Sequence, residues 1–306
     1  MTLPEDYLVY PHRRYGYEHD RYEWRIAAAG PRYKWPQSCS VALLVVMPLE
    51  FFPLNPSGKP FKHPGAMVTP YPDLRHYTSR DYGNRVGAFR ILSCLAEAGI
   101  KATVPVNGAL LTRIRPLIDA IRDGGHEIAA HGWDTDAIHW SGIDEAKERE
   151  YIARTCDAFD AAGLKPRSWL SPARQQSFVT LDLVREAGFD VCLDWEADKV
   201  PLKMKTSHGP IWSVPLMNEL DDRMLLIART QSEEEWGRQI VEAVDYTDSI
   251  AIEEAGGVVS FTLTPYITGQ PFRVAPMRAL LNKLGKDKRV WSTTASALAD
   301  AAAGKI

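Results

Sequence analysis

The chain has 306 residues, with 36 lysines and arginines against 39 aspartates and glutamates, and a formal net charge of −3. That balance lacks the basic excess of a nucleic-acid-binding protein. Apolar residues at 45% and charged ones at 25% describe a globular chain long enough to bury a large core unaided.

The longest apolar run, Val41 to Met47, is far short of the ~20 residues that cross a bilayer. The opening MTLPEDYLVYPHRR has no apolar h-region, so no secretory leader is expected. The four cysteines, Cys39, Cys94, Cys156 and Cys192, form no CxxC pair. They predict free thiols and a cytoplasmic location, not a disulfide framework. The expected partner is a small-molecule substrate, with neither nucleic acid nor membrane.

Residues 1–38 are dense in aromatics (Tyr7, Tyr10, Tyr15, Tyr17, Tyr22, Trp24, Tyr33, Trp35) and in arginine, without periodicity. This predicts an ordered arm lying on an apolar surface. Those residue types are enriched at interfaces, which favours a homo-oligomer. An arm folded back on its own domain is the alternative.

From residue 39 to 306 strand and helix signals alternate. VALLVV (41–46) reads as a strand buried on both faces. A Pro/Gly-rich loop over 51–80 follows, of a length that tends to be functional, then a helix over 86–99 closed by Gly99. Further strands are expected at 101–106, 126–131, 167–171, 190–194, 211–216 and 258–264. Helices are expected at 109–125 (kinked or starting late at Pro116), 143–163, 180–188, 232–255 and 277–285. The run SEEEW (232–236) is an acidic helix start. Strands alternating with amphipathic helices mean a parallel sheet, and about seven strands suggest closure into a barrel. A doubly wound open sheet is the alternative, weakened by the absence of a GxGxxG or Walker loop.

In a parallel barrel the working residues stand at the C-terminal strand ends. Those positions hold Glu50, His131, Arg174, Asp194, Trp195, Thr264 and Tyr266. Glu50, His131 and Asp194 can exchange protons or bind metal. Ser40 and Ser171 lie in no GxSxG elbow. Cys192 reads as an inert core thiol, and His63 and His208 as solvated loop residues.

GHEIAAHGW (125–133) resembles the second motif of the polysaccharide deacetylase superfamily, carbohydrate esterase family 4. There a histidine at the position of His131 and another four residues on bind zinc; here the fourth residue on is Thr135. His126 matches the GHE histidine, which is no ligand in that family. YTSRDYGNRVGAFRIL (77–92), LSPARQQS (170–177) and LTPYITGQPFR (263–273) are similar to motifs of the cofactor-independent allantoinase-like branch, and PLEFF places Glu50 at the acidic first motif. Where that branch's C-terminal motif carries two histidines, this chain has Thr264 and Tyr266.

The resemblance covers roughly residues 38–300. It implies an irregular (β/α)7 barrel and a hydrolase of non-peptide carbon–nitrogen bonds in a small amide, cyclic amide or ureide. It also implies catalytic Glu50, His131 and Arg174, and substrate contacts from Arg85, Trp133, Trp195, Thr264 and Tyr266. Zinc wants three protein ligands and an open position. Glu50 and His131 supply two, Thr135 is a poor third, and Asp134, Asp136 and His139 are near in sequence. No cofactor is therefore expected, with zinc at low occupancy on Glu50 and His131 as the alternative. Two other functional readings stay open: a non-catalytic small-molecule binder of the same fold, and a metal-dependent N-acetyl sugar deacetylase.

Overall fold

The computed structural model describes residues 19, 21–22, 25–26, 29–58, 62, 67 and 69–306. Tyr7, Tyr10, Tyr15, Tyr17, Trp24 and His63 lie outside the described residues. The strands are β1 (Val41–Val46), β2 (Thr103–Val106), β3 (Glu127–Ala130), β4 (Ser168–Trp169), β5 (Val191–Cys192), β6 (Leu202–Met204), β7 (Ile211–Ser213), β8 (Gly257–Thr262) and β9 (Val290–Thr293). They form one sheet in the order β6-β7-β5-β4-β3-β2-β1-β8, with β9 paired to β1.

Seven strands from β7 to β8 run parallel, as does β9 on β1, and among the described residues only the β6–β7 pair is antiparallel. The sheet curls into a half-barrel. Its two sides approach where the Met217 amide donates to Ser260 Oγ on β8. The expected irregular (β/α)7 barrel is the fold observed.

β1 shows why the pattern reads as it does. Val41, Leu43 and Val45 pack in the layer shared with the helices, whereas Ala42, Leu44 and Val46 pack in the inner cluster with Leu170, Val214 and Val258. A period of two with both faces covered turns an alternating surface into a continuous apolar run. Trp35 and helix α9 (Ala295–Ala302) join the inner cluster, on the side where the strands begin. The Trp35 indole donates to Gly257 O and stacks between Tyr33 and Trp291.

Of the arm, Arg21 makes a two-pronged pair with Asp182 in helix α5 (Thr180–Glu186), at 3.0 and 2.7 Å. These described arm residues lie on their own chain's domain.

Several elements differ from expectation. A helix, α1 (Leu74–Tyr82), begins inside the Pro-rich stretch because the Asp73 carboxylate caps it, accepting from the His76 amide. It runs through a wide π turn over Gly83–Gly87 into α2 (Ala88–Ala98), which ends on left-handed Gly99. α3 (Arg115–Asp123) takes the late start, with Pro116 in its first turn. α4 spans Glu145–Ala161, α6 Glu233–Ser249 and α7 Ala251–Glu254. α8 (Pro271–Gly285) starts before its internal Pro276, not after it. β6, β9 and α9 were not expected. β6 and β9 carry polar or charged residues within three and four residues (LKM and VWST), so neither offers the continuous apolar run of the expected strands.

The π turn exists to bring backbone against backbone. A Cβ on Gly87 would stand 2.1 Å from the Pro265 carbonyl oxygen, and one on Gly83 2.7 Å from the Tyr266 nitrogen. This contact holds the α1–α2 rod against the segment after β8 that carries Thr264 and Tyr266. Gly87→Ala is expected to cost ~1–3 kcal/mol or more through overpacking, read as a lower urea midpoint. Gly237→Ala, inside α6 with its nearest neighbour 4.0 Å away, should instead stabilise by ~0.5–1 kcal/mol.

Candidate active site

The C-terminal ends of β1 and β3 are locked together by one buried amide. Past β1, Leu49 bridges Val106, and the Phe51 amide donates to Asn107 Oδ1 at 2.8 Å. Asn107 Nδ2 donates to the His131 carbonyl, and Asn84 Nδ2 to the Glu50 carbonyl at 2.9 Å. Glu50 and His131 thereby face each other, with His131 Nε2 3.8 Å from Glu50 Oε1. His131 Nδ1 lies 2.7 Å from the Leu170 carbonyl. A carbonyl only accepts, so Nδ1 donates to it, and the Nε2 corner of the ring is turned to Glu50 and the cavity.

Glu50 is 7% exposed, and burial alone would push its carboxyl up. The guanidinium of Arg223 donates to Oε2 and, with His131, outweighs burial, holding the group at about 2. Arg223 opens the π turn Arg223–Ala228. Its own amide donates to Asp221, and its Nε donates to Thr264 Oγ1 at 3.3 Å. Thr264 in turn gives its amide and hydroxyl protons to Asp222, at 2.6 and 2.7 Å. Burial and the neighbouring Asp221 push the Asp222 carboxyl up, against those two bonds. The Arg80 guanidinium lies 4.2 Å from the Tyr266 ring centre, and burial pushes the Tyr266 phenol up.

A cavity of about 220 Å³ is lined by Glu50, His131, Arg174, Asp221, Arg223 and Thr262, among others. A second of about 200 Å³ shares Glu50, Ala173 and Arg223 with it and reaches Phe52, Thr135 and Tyr266. Arg174 sits in a tight turn in which both it and Ala173 have positive φ. It donates to the Leu216 carbonyl at 3.0 Å and to Asp221 at 3.3 Å, and burial lowers its pKa.

The remaining expected residues separate into two groups. Thr264 and Tyr266 adjoin the Glu50–Arg223 pair. Trp195 lines a neighbouring cavity with Arg174, and its indole donates to Gln176. Arg85 is not in either Glu50 cavity: its side chain is 74% exposed and pairs with Asp81. Trp133 packs under Arg154 and over Gly108, away from both cavities. Asp194 is a structural acceptor, taking the Ser171 amide and hydroxyl and the Gln176 amide. Arg223, Asp221, Asp222 and Asn107 were not expected. The run Asp221–Arg223 looks like any polar loop, and only the folded chain brings it to Glu50.

These donors do not fit zinc. Thr135 Oγ1 donates to the Phe51 carbonyl at 3.0 Å, and Asp134 and Asp136 accept backbone amides. His139 is paired with Glu148 at 2.9 Å, both fully buried. Among the described residues no three His, Cys, Asp or Glu side chains are grouped to hold an ion. The Arg223 guanidinium already stands on the carboxylate such an ion would need.

Residues 76–192 match the polysaccharide deacetylase family model. A protein of Schizosaccharomyces pombe named "Putative polysaccharide deacetylase" is 23% identical over 246 residues, 74% of this chain and 75% of that one. The structure is similar to that of Puue allantoinase, with a TM-score of 0.79 and 22% identity over 89% of this chain and 94% of that one. It is also similar to the "probable Polysaccharide deacetylase" of Pseudomonas aeruginosa PAO1, with a TM-score of 0.77 and 21% identity over 89% and 94%. At these identities the likeness of structure is one of fold. The matched segment includes His131 and Arg174 of the site but ends before Arg223 and begins after Glu50.

The ion pair has a checkable sign. The folded Glu50 carboxyl sits at about 2 against an ordinary 4.5, so its contribution is fully present above about pH 4.5 and is lost as pH falls toward 2. Glu50→Gln should flatten that limb of the stability–pH curve. Arg223→Met leaves a buried carboxylate without its cation and should cost ~2–3 kcal/mol. That is less than the ~3–5 kcal/mol of a fully buried pair, because Arg223 keeps 28% exposure of its side chain. Adding Glu50→Gln to Arg223→Met should recover part of the loss in chemical denaturation.

Proposed function

We propose that the protein hydrolyses carbon–nitrogen bonds other than peptide bonds, in a small amide, cyclic amide or ureide, without a metal cofactor. The observation that carries this reading is the Nε2 corner of His131, turned into a cavity that also holds the partly buried guanidinium of Arg223. His131 takes a proton from water as its oxygen attacks the carbonyl carbon. The tetrahedral centre collapses with cleavage of the C–N bond, and His131 returns that proton to the departing nitrogen. One residue serves both transfers because Thr264 stands where a separate acid would be.

Glu50, held ionised at about 2, is no proton acceptor near neutral pH. Its role is to orient the water and to hold Arg223, while the Leu170 carbonyl orients the His131 ring. Arg223 commits one terminal nitrogen to Glu50 and Nε to Thr264. Its remaining N–H groups are donors for the carbonyl oxygen as charge develops there. Asp222 and Thr264 are positioning residues for that guanidinium. Arg174 takes an anionic or carbonyl group elsewhere on the substrate.

The test is hydrolysis of hydantoin, allantoin, N-carbamoyl amino acids and N-acetylglucosamine by the purified full chain. His131→Ala should lower kcat by ~10²-fold or more, and Arg223→Met should lower it by a similar factor. Activity should persist after chelator treatment. Loss of activity on chelation with recovery on added zinc would instead support a metal-dependent deacetylase. Saturable binding without turnover across the panel would support a non-catalytic binder.

A further inference from the structure

Beside the cavity of Glu50 and His131 lies a larger one of about 370 Å³, formed by His19 and Arg21 of the arm together with Arg174, Phe178, Leu181 and Trp195. Arg174 lines both cavities, so one side chain marks their boundary. At about 370 Å³ this neighbouring cavity is by itself of the ~300–1,000 Å³ usual for ligand pockets.

The chemistry of the second cavity follows from which of its polar groups are already engaged. Arg21 gives one terminal nitrogen to Asp182 and Lys205 O, and the other to Asp182 and Phe178 O. That accounts for all four of its terminal N–H groups. Gln176 bonds Asp194 through its nitrogen and Trp195 through its oxygen. Asp194 also accepts from Ser171, and the Ser177 hydroxyl donates to Glu148. Beside the His19 ring, whose Nδ1 accepts from the Arg21 amide, the walls are the apolar side chains of Phe178, Leu181 and Trp195. Arg174 is different. It makes two hydrogen bonds, to Leu216 O and Asp221, out of the five a guanidinium can donate.

The geometry points to a two-part substrate, in which a carboxylate or carbonyl sits on Arg174 and an aromatic or bulky alkyl group fills the cavity of Trp195 and Phe178. The amide or ureide head then lies at Glu50 and His131. The inference rests on the hydrolase reading for the head, but the apolar subsite is a separate feature with its own measurement. Trp195 belongs to this subsite; His19 of the arm lines it and packs on Trp195 at 5.2 Å, and Tyr22 packs on Trp195 at 6.4 Å.

The probes are two matched pairs that differ by one benzyl group: N-carbamoylglycine against N-carbamoylphenylalanine, and hydantoin against 5-benzylhydantoin. Dissociation constants are measured by calorimetry on the full chain. The benzyl member should bind about 10-fold or more tightly in each pair. Trp195→Ala should shrink that ratio to ~3-fold or less. Phe178→Ala should reduce it as well, and the residue is 41% exposed, so folding is little at risk. Because the ratio is taken on one protein sample, partial unfolding of a variant does not move it. Equal affinities within the pairs, or no detectable binding by any member, would overturn the subsite. So would a preference that survives both substitutions. Turnover of the bare compounds without a benzyl preference would keep the hydrolase and remove the subsite; a benzyl preference without turnover would do the reverse.

Discussion

A carboxylate taken out of water must either be neutralised or be given a cation, and at the mouth of this half-barrel Glu50 is given Arg223. The two come from chain positions 173 residues apart, one past β1 and the other in a π turn after β7. The pair therefore ties the first strand to the far side of the curl. Its geometry is passed outward through Thr264 to Asp222 and, on the other side, to His131. The buried charge thus decides several things at once: that Glu50 stays ionised, that His131 faces a fixed anion, and that a positive charge is permanently present where a carbonyl oxygen could lie.

That arrangement also accounts for the two threonines at positions where the resembling family has histidines. Thr135 uses its amide and hydroxyl to hold the Phe51 carbonyl, and so fixes the loop that follows Glu50. Thr264 is the link between Arg223 and Asp222. Both side chains serve the scaffold of the ion pair, and neither is free to bind a metal or transfer a proton. The replacements are mutually consistent: a guanidinium supplies the positive charge, and the residues that would surround an ion are small hydroxyl side chains bonded to the backbone or to a carboxylate. The buried His139–Glu148 pair, tied to Ser177 and Thr180, belongs to the packing of α4 against α5 and stands apart from this chemistry.

The sequence by itself determined the alternation of strands and helices, the parallel sheet and the placement of Glu50, His131, Arg174 and Tyr266 at strand ends. The reason is physical: a strand covered on both faces must be apolar throughout, and the residue at which the apolar run stops is where the chain reaches the mouth. Only the tertiary structure decided which strand ends converge and which polar residues meet there. Arg223 lies in a loop with no periodicity, and nothing local distinguishes it from Arg85, which the fold leaves in solvent. Trp133 follows His131 by two residues yet points away, because Gly132 has left-handed backbone geometry and turns the chain. A buried ion pair, unlike a hydrophobic stripe, is written in two distant places and becomes legible only when folding brings them together.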